Sequence, residues 1–200
     1  MIHPDTQLKW INAHIGWGVF ATAFIPRGTI VYVQDALDIV ITVDSPLLTD
    51  PRYRQWIDKY SIIEPSGNRV MCWDIAKYVN HCCHYNALST GYGFEIAVRD
   101  IYTDEELTDD YGLFNLQEEI KLACHYEDCR KVARSDDFDT YGHEWDRVIQ
   151  ETLPKLEMVP QPLLKYLDAG TYADLMSYLG TGQGHKSIQT LRYTPKPGAP

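Results

Sequence analysis

Short runs of β-branched and aromatic residues punctuate the first part of the chain: Val19-Phe20, Ile30 to Val33 and Ile39 to Val43. Turn signals at Gly16, Gly18 and Pro26-Arg27-Gly28 separate them, which predicts several short strands over residues 15–43. Behind Pro51, residues Tyr53, Trp56, Ile57 and Tyr60 recur at helical spacing, so a helix is expected there with that stripe packed inward. A turn at 65–68 (PSGN) follows, and the alternation of GFEIAVRDI over 93–101 predicts a further strand. After residue 113 the period lengthens. A short helix is expected at 116–123, and helical segments at 143–153, 161–169 and 171–179, divided by Pro154, Pro160, Pro162 and Gly170. The expected plan is a mainly β body to about residue 112, a cysteine-bearing linker, and a helical C-terminal extension ending in a flexible tail, TPKPGAP.

Length and charge narrow the function. The 200 residues fit one domain with an appendage. A net charge of −10 argues against binding nucleic acid by phosphate neutralisation and suits a basic partner. No run approaches the roughly 18 apolar residues of a membrane span, and the first residues lack a signal-peptide core, so no membrane partner and a soluble, intracellular chain are expected. Five cysteines, Cys72, Cys82, Cys83, Cys124 and Cys129, read as buried thiols or metal ligands rather than as a disulfide framework. The acidic run Asp136-Asp137-Asp139 reads as a solvated face able to steer a basic substrate.

Three stretches carry candidate chemistry. Gly16-Trp17-Gly18 is a turn where backbone can approach a ligand. NHCCHYN, residues 80–86, holds two Asn, two His and two Cys, each needing a partner if buried. Glu106 to Gly112, ELTDDYG, sets a tyrosine between acidic residues and a glycine. In this order and spacing the three stretches resemble the landmarks of SET-domain protein-lysine N-methyltransferases, over roughly residues 10–130. The PRGT turn at 26–29 adds to the likeness.

The resemblance implies a SET-type β-clip fold with a pseudoknot: a SET domain over 5–112 with a small helical insertion at about 46–70, a post-SET-like cysteine segment over 113–135, and a helical extension over 136–200. It implies S-adenosylmethionine as cofactor, held around Gly16, Trp17, Gly18, Asn80 and His81, with Lys77 at a position that often holds a cofactor-reaching Arg. Tyr111 matches the catalytic tyrosine and adjoins the cofactor. The substrate would be a lysine in a basic protein or peptide, of which histones are the family's commonest. Asp109 stands where the family often has Phe or Tyr. It could hold the lysine ammonium or face away, and the degree of methylation is not legible. Cys83, Cys124 and Cys129 match three of the family's four zinc cysteines. The fourth position is Leu122, and His125, His84 or Cys82 are the alternatives, so a zinc site and a metal-free segment both stand as readings. Two rival functions stand beside the enzyme: a catalytically weak SET-like peptide-binding module, and a small zinc-containing interaction domain. A cytoplasmic location is expected, or a nuclear one in a eukaryote.

Overall fold

Turns decide where the strands begin and end, because no strand here is long enough to stand alone. The computed structural model describes residues 1–194, so most of the expected flexible tail lies outside the described residues. Strands β1 (Thr6–Asn12) and β2 (Gly16–Ala21) form an antiparallel hairpin closed by Asn12, whose side chain accepts from the amides of His14 and Ile15, both at 2.9 Å. Strand β1 has no clean alternation and was not expected from the sequence. β3 (Ile30–Val33) is buried throughout and pairs antiparallel in the sheet β3-β9-β8, with β8 at Ala87–Ser89 and β9 at Phe94–Ala97. β4 (Ile39–Ile41), β5 (Ser61–Ile63) and β6 (Arg69–Met71) make a second three-stranded sheet.

Helix α1 (Pro51–Tyr60) forms as expected, with Pro at its first position and Asp50 accepting from Arg52 N as its cap. Its aromatic stripe does not pack as expected. Only Ile57 is buried, while Tyr53 and Trp56 are 44% and 52% exposed, because the helix lies beside a small three-stranded sheet rather than on the main core.

β7 (Asn80–His81) and β10 (Thr108–Asp109) pair in parallel, Thr108 beside Asn80 and Asp109 beside His81. Two residues of parallel pairing across nearly thirty of sequence bring the second and third motifs side by side. The expected helix at 116–123 is absent. That segment instead enters a hairpin of β11 (Ile120–Lys121) and β12 (Val132–Ala133), whose loop carries Cys124 and Cys129. Strand pairing, and the bond from Leu122 N to Lys131 O at 2.9 Å, override the local period.

α2 (Asp137–Thr152) starts earlier than its period suggests, and α3 (Ala169–Thr181) is capped by Asp168 and ended by Gly182. Between them, residues expected to be helical at 161–169 form only a short turn at Leu164–Tyr166, because Pro160 and Pro162 interrupt the ladder. The extension is not a separate layer. Phe138, Trp145, Ile149 and Leu153 of α2 and its continuation join Ile30, Leu88, Phe94 and Ile96 in one buried cluster. Each such side chain withdrawn from water stabilises the fold by roughly 1.5–3 kcal/mol, so the β body leans on the helices. Gly112 permits a close approach to α2. A side chain there would lie 2.8 Å from the Trp145 ring and 2.9 Å from Asp137. Among the described residues no helix is long and apolar enough to cross a membrane.

Candidate active site

The polar density of residues 80–86 is resolved by partners in the other two motifs. Asn80 Nδ2 donates to Trp17 O at 3.0 Å and to Glu106 Oε1 at 2.8 Å, so one amide joins all three stretches. Asn86 is fully buried. Its Nδ2 donates to Glu106 O at 2.7 Å, and its Oδ1 accepts from Thr108 N at 2.8 Å. A Cβ on Gly18 would lie 2.5 Å from Glu106 Oε1 and 3.1 Å from Asn80 Nδ2. Glycine at that position is what lets the first motif reach the amide. Glu106 had no role assigned from the sequence, although it stands inside the motif.

His81 and Tyr111 face each other with ring centroids 5.5 Å apart. Tyr111 N donates to His81 Nδ1 at 3.2 Å, which leaves the hydrogen of a neutral ring on Nε2, 3.3 Å from Cys83 Sγ. Burial pushes the His81 imidazole down to about 4, the nearby Asp110 opposing and Arg130 assisting the shift. The sign follows directly. Between pH 6.5 and about 4 only the unfolded chain takes up this proton, so the site loses stability as pH falls through that window. The ring-proton NMR shifts of His81 are expected to stay constant from pH 8 to about 5, and a midpoint near 6.5 would contradict this environment.

The Tyr111 hydroxyl donates to Val79 O at 3.0 Å. Burial, then the charges of Asp109 and Glu106, push the phenol up to about 12, so it is protonated at any working pH. Asp110 caps the short turn that presents Tyr111, accepting from Gly112 N at 3.0 Å. Arg130 Nη1 donates to Asp110 Oδ2 at 2.7 Å, and its Nη2 lies 2.9 Å from Asp137 Oδ2. Asp137 is therefore buried in an ion pair rather than part of a solvated acidic face, because Arg130 neutralises it from the cysteine loop.

Tyr111 also lines a cavity of about 370 Å³, together with Tyr32, Cys72, Lys77, Val79 and Glu95. Lys77 donates to Trp73 O at 3.4 Å at that wall. Residues 16–18, expected as a turn, instead begin strand β2, because they pair with β1, and the backbone is open at Gly16 but closed at Gly18. Nothing lies within 4 Å of a Cβ placed on Gly16, and Trp17, edge-on to Trp10 at 5.4 Å, is 44% exposed. Asp109 faces neither space. It is fully buried, with Asp110 N donating to its Oδ1 at 2.6 Å and Ser89 Oγ to its Oδ2 at 3.3 Å.

The thiols of Cys83, Cys124 and Cys129 lie within 4.8 Å of one another, Cys83 and Cys129 at 3.4 Å. Tetrahedral zinc–thiolate bonds of about 2.3 Å put sulfurs slightly under 4 Å apart, so the three fit a metal. Cys82 Sγ is 4.0 Å from Cys124 Sγ and stands outside that set of three. His84 is committed to Asp128 at 2.9 Å.

A SET-domain family profile matches residues 16–112. The methyltransferase domain of human histone-lysine N-methyltransferase SETMAR is similar at 20% identity and a TM-score of 0.43, covering 67% of this chain and 58% of that one. KRYPTONITE, solved in complex with mCHG DNA and SAH, is similar at 22% identity and a TM-score of 0.42, covering 62% of this chain and 28% of that one. The chain thus spans less than two thirds of either of these proteins. A search of curated proteins finds no match. The profile runs from Gly16 to Gly112 and takes in all three converging motifs, so this segment of the chain matches the SET-domain family.

Proposed function

We propose that this protein is an S-adenosylmethionine-dependent protein-lysine N-methyltransferase acting on a lysine in a basic protein segment. The observation that carries the reading is the Asn80 amide, which bonds the first motif through Trp17 O and the third through Glu106 while His81 and Tyr111 meet beside it. The open backbone at Gly16 and the Asn80–His81 pair fit the cofactor, and the net charge of −10 suits a basic substrate.

When bound, the cofactor supplies an activated methyl group next to a positive sulfonium. The chain's own residues do the rest. Tyr32, Val79 and Tyr111 at the cavity wall would lie against a lysine side chain and strip part of its water, which opposes its ammonium form. Tyr111, held by Val79 O and by His81, orients the amine for in-line attack, and its raised pKa makes it a hydrogen-bonding group rather than a base. Calorimetry with S-adenosylmethionine and with SAH, followed by labelled methyl transfer to a basic protein pool and mass spectrometry of the labelled residue, tests the reading. Absence of cofactor binding would overturn it. Cofactor binding with peptide binding and no transfer would favour the rival binding module.

Cys83, Cys124 and Cys129 would hold a structural zinc and tie the cysteine loop to β7. Burial pushes the Cys83 thiol up, so a metal would have to displace its proton and binding would weaken at low pH. Purified protein is expected to carry about one equivalent of zinc, and under roughly 0.2 equivalents by plasma mass spectrometry would exclude a structural site of thiolate affinity.

A further inference from the structure

Glu95 is the one acidic side chain of the buried sheet β3-β9-β8 that opens onto the cavity shared with Tyr111. Its strand neighbours Phe94, Ile96 and Ala97 are buried, and Tyr32 stands opposite it on β3. The other polar groups of that wall are already committed. The Tyr32 hydroxyl donates to Asp38 Oδ2 at 2.6 Å, and Cys72 Sγ donates to Tyr32 Oη at 3.3 Å. Four cations line the same cavity: Arg54 and Arg69 pair with Asp58 at 2.6 and 3.1 Å, Lys77 donates to Trp73 O, and Lys59 lies over the Tyr60 ring, 5.1 Å from its centroid. Among the described residues no Lys or Arg makes an ion pair with Glu95. The charges that bear on it are the Met1 ammonium, itself 2.9 Å from Asp35, and Asp109 behind the sheet. Burial raises the carboxyls of both Glu95, to about 7, and Asp109; Asp109 is sealed between Asp110 N and Ser89 Oγ, so Glu95 is the one of the two that faces the cavity.

A carboxylate at a cavity wall without a paired basic side chain selects a cation small enough to enter. We propose that Glu95 is the receptor for the ammonium group of the substrate lysine, a role that rests on the methyltransferase reading and falls to this residue rather than to the sealed Asp109. A carboxylate beside an ammonium favours the charged form, so its effect belongs to capture of the substrate and not to removal of the proton. Glu95 is thus a specificity-determining residue: its loss should raise KM without lowering kcat.

The test uses n-butylammonium as a mimic of the lysine side chain and n-butanol as its neutral counterpart, on the full chain saturated with SAH, read by saturation-transfer NMR. Wild-type protein is expected to bind n-butylammonium and to discriminate against n-butanol. Glu95→Gln should weaken ammonium binding by roughly tenfold or more, as loss of a hydrogen bond to a charged group predicts, while calorimetric SAH affinity stays within about twofold. Equal ammonium binding by Glu95→Gln overturns the proposal. So does equal uptake of the two probes by wild-type protein, a comparison that needs no variant to fold. Failure of wild-type protein to bind SAH would instead strike the methyltransferase reading, and the two failures are read on separate instruments.

Discussion

Tyr111→Phe is expected to keep cofactor affinity within about twofold and to cut single-turnover methyl transfer by roughly a hundredfold or more, the range found when one preorganised hydrogen-bonding group is removed from a reacting centre. The separation follows from where the ring and its hydroxyl make contact. The ring sits against His81 at 5.5 Å and Phe114 at 5.4 Å, and Phe would keep both packings. The amide of residue 111 would still donate to His81 Nδ1, so the position of the imidazole survives. What is lost is the one group that reaches Val79 O and faces the cavity. Because burial pushes this phenol up to about 12, no activity limb from its ionisation is expected below about pH 11 in the parent. Calorimetry and a rapid-quench assay with labelled cofactor check the two halves separately. Unchanged turnover would remove Tyr111 from the chemistry, and lost cofactor binding would make its role structural.

The parts of the site that were legible in the sequence share one property: their side chains cannot be buried alone. Two Asn and a His within seven residues demand partners, and the partners are supplied by the Trp17 carbonyl, Glu106 and the Tyr111 amide. The polar residues therefore announced a shared site before any fold was known. The short sheets did not announce themselves. β7 and β10 have two residues each, too few for any period, and their pairing is held by Asn86 rather than by strand propensity. The expected helix at 116–123 failed for the same reason in reverse: a plausible local period gave way to a hairpin closed over the cysteine loop. Charge patterning misled at Asp137, because the cation that buries it lies in that loop and belongs to no element a periodicity can find. Glu95 falls within the alternating strand expected over 93–101, and alternation does not say which face opens onto a cavity.

Arg130 is where the loop, the helices and the catalytic turn become one structure, and Arg130→Met tests that joint. The guanidinium lies between Asp110 and Asp137, which are 1% and 3% exposed, and its central carbon sits 4.8 Å from the Tyr141 ring centroid. Met keeps much of the packing against Tyr141 and removes the charge, leaving two carboxylates buried together without a cation. Breaking such a buried arrangement from one side costs about 3–5 kcal/mol. At roughly 2–4 °C per kcal/mol for a chain of this size, Tm should fall by on the order of 10 °C at pH 7. The pH dependence identifies the cause. Arg130 opposes the rise that burial imposes on the Asp137 carboxyl, so without it that carboxyl stands further above its unfolded value; the variant's stability drops as pH rises through it, and its deficit against the parent should shrink on acidification toward pH 4. Asp137 already shows the direction in the parent, where burial raises its carboxyl despite Arg130. Thermal melts followed by circular dichroism at pH 7 and pH 4.5 provide the check. A pH-independent deficit would assign the loss to packing against Tyr141, whereas a deficit that closes on acidification and is partly rescued by Asp110→Asn would establish that the turn bearing Tyr111 is held in place by a charge from outside the SET segment.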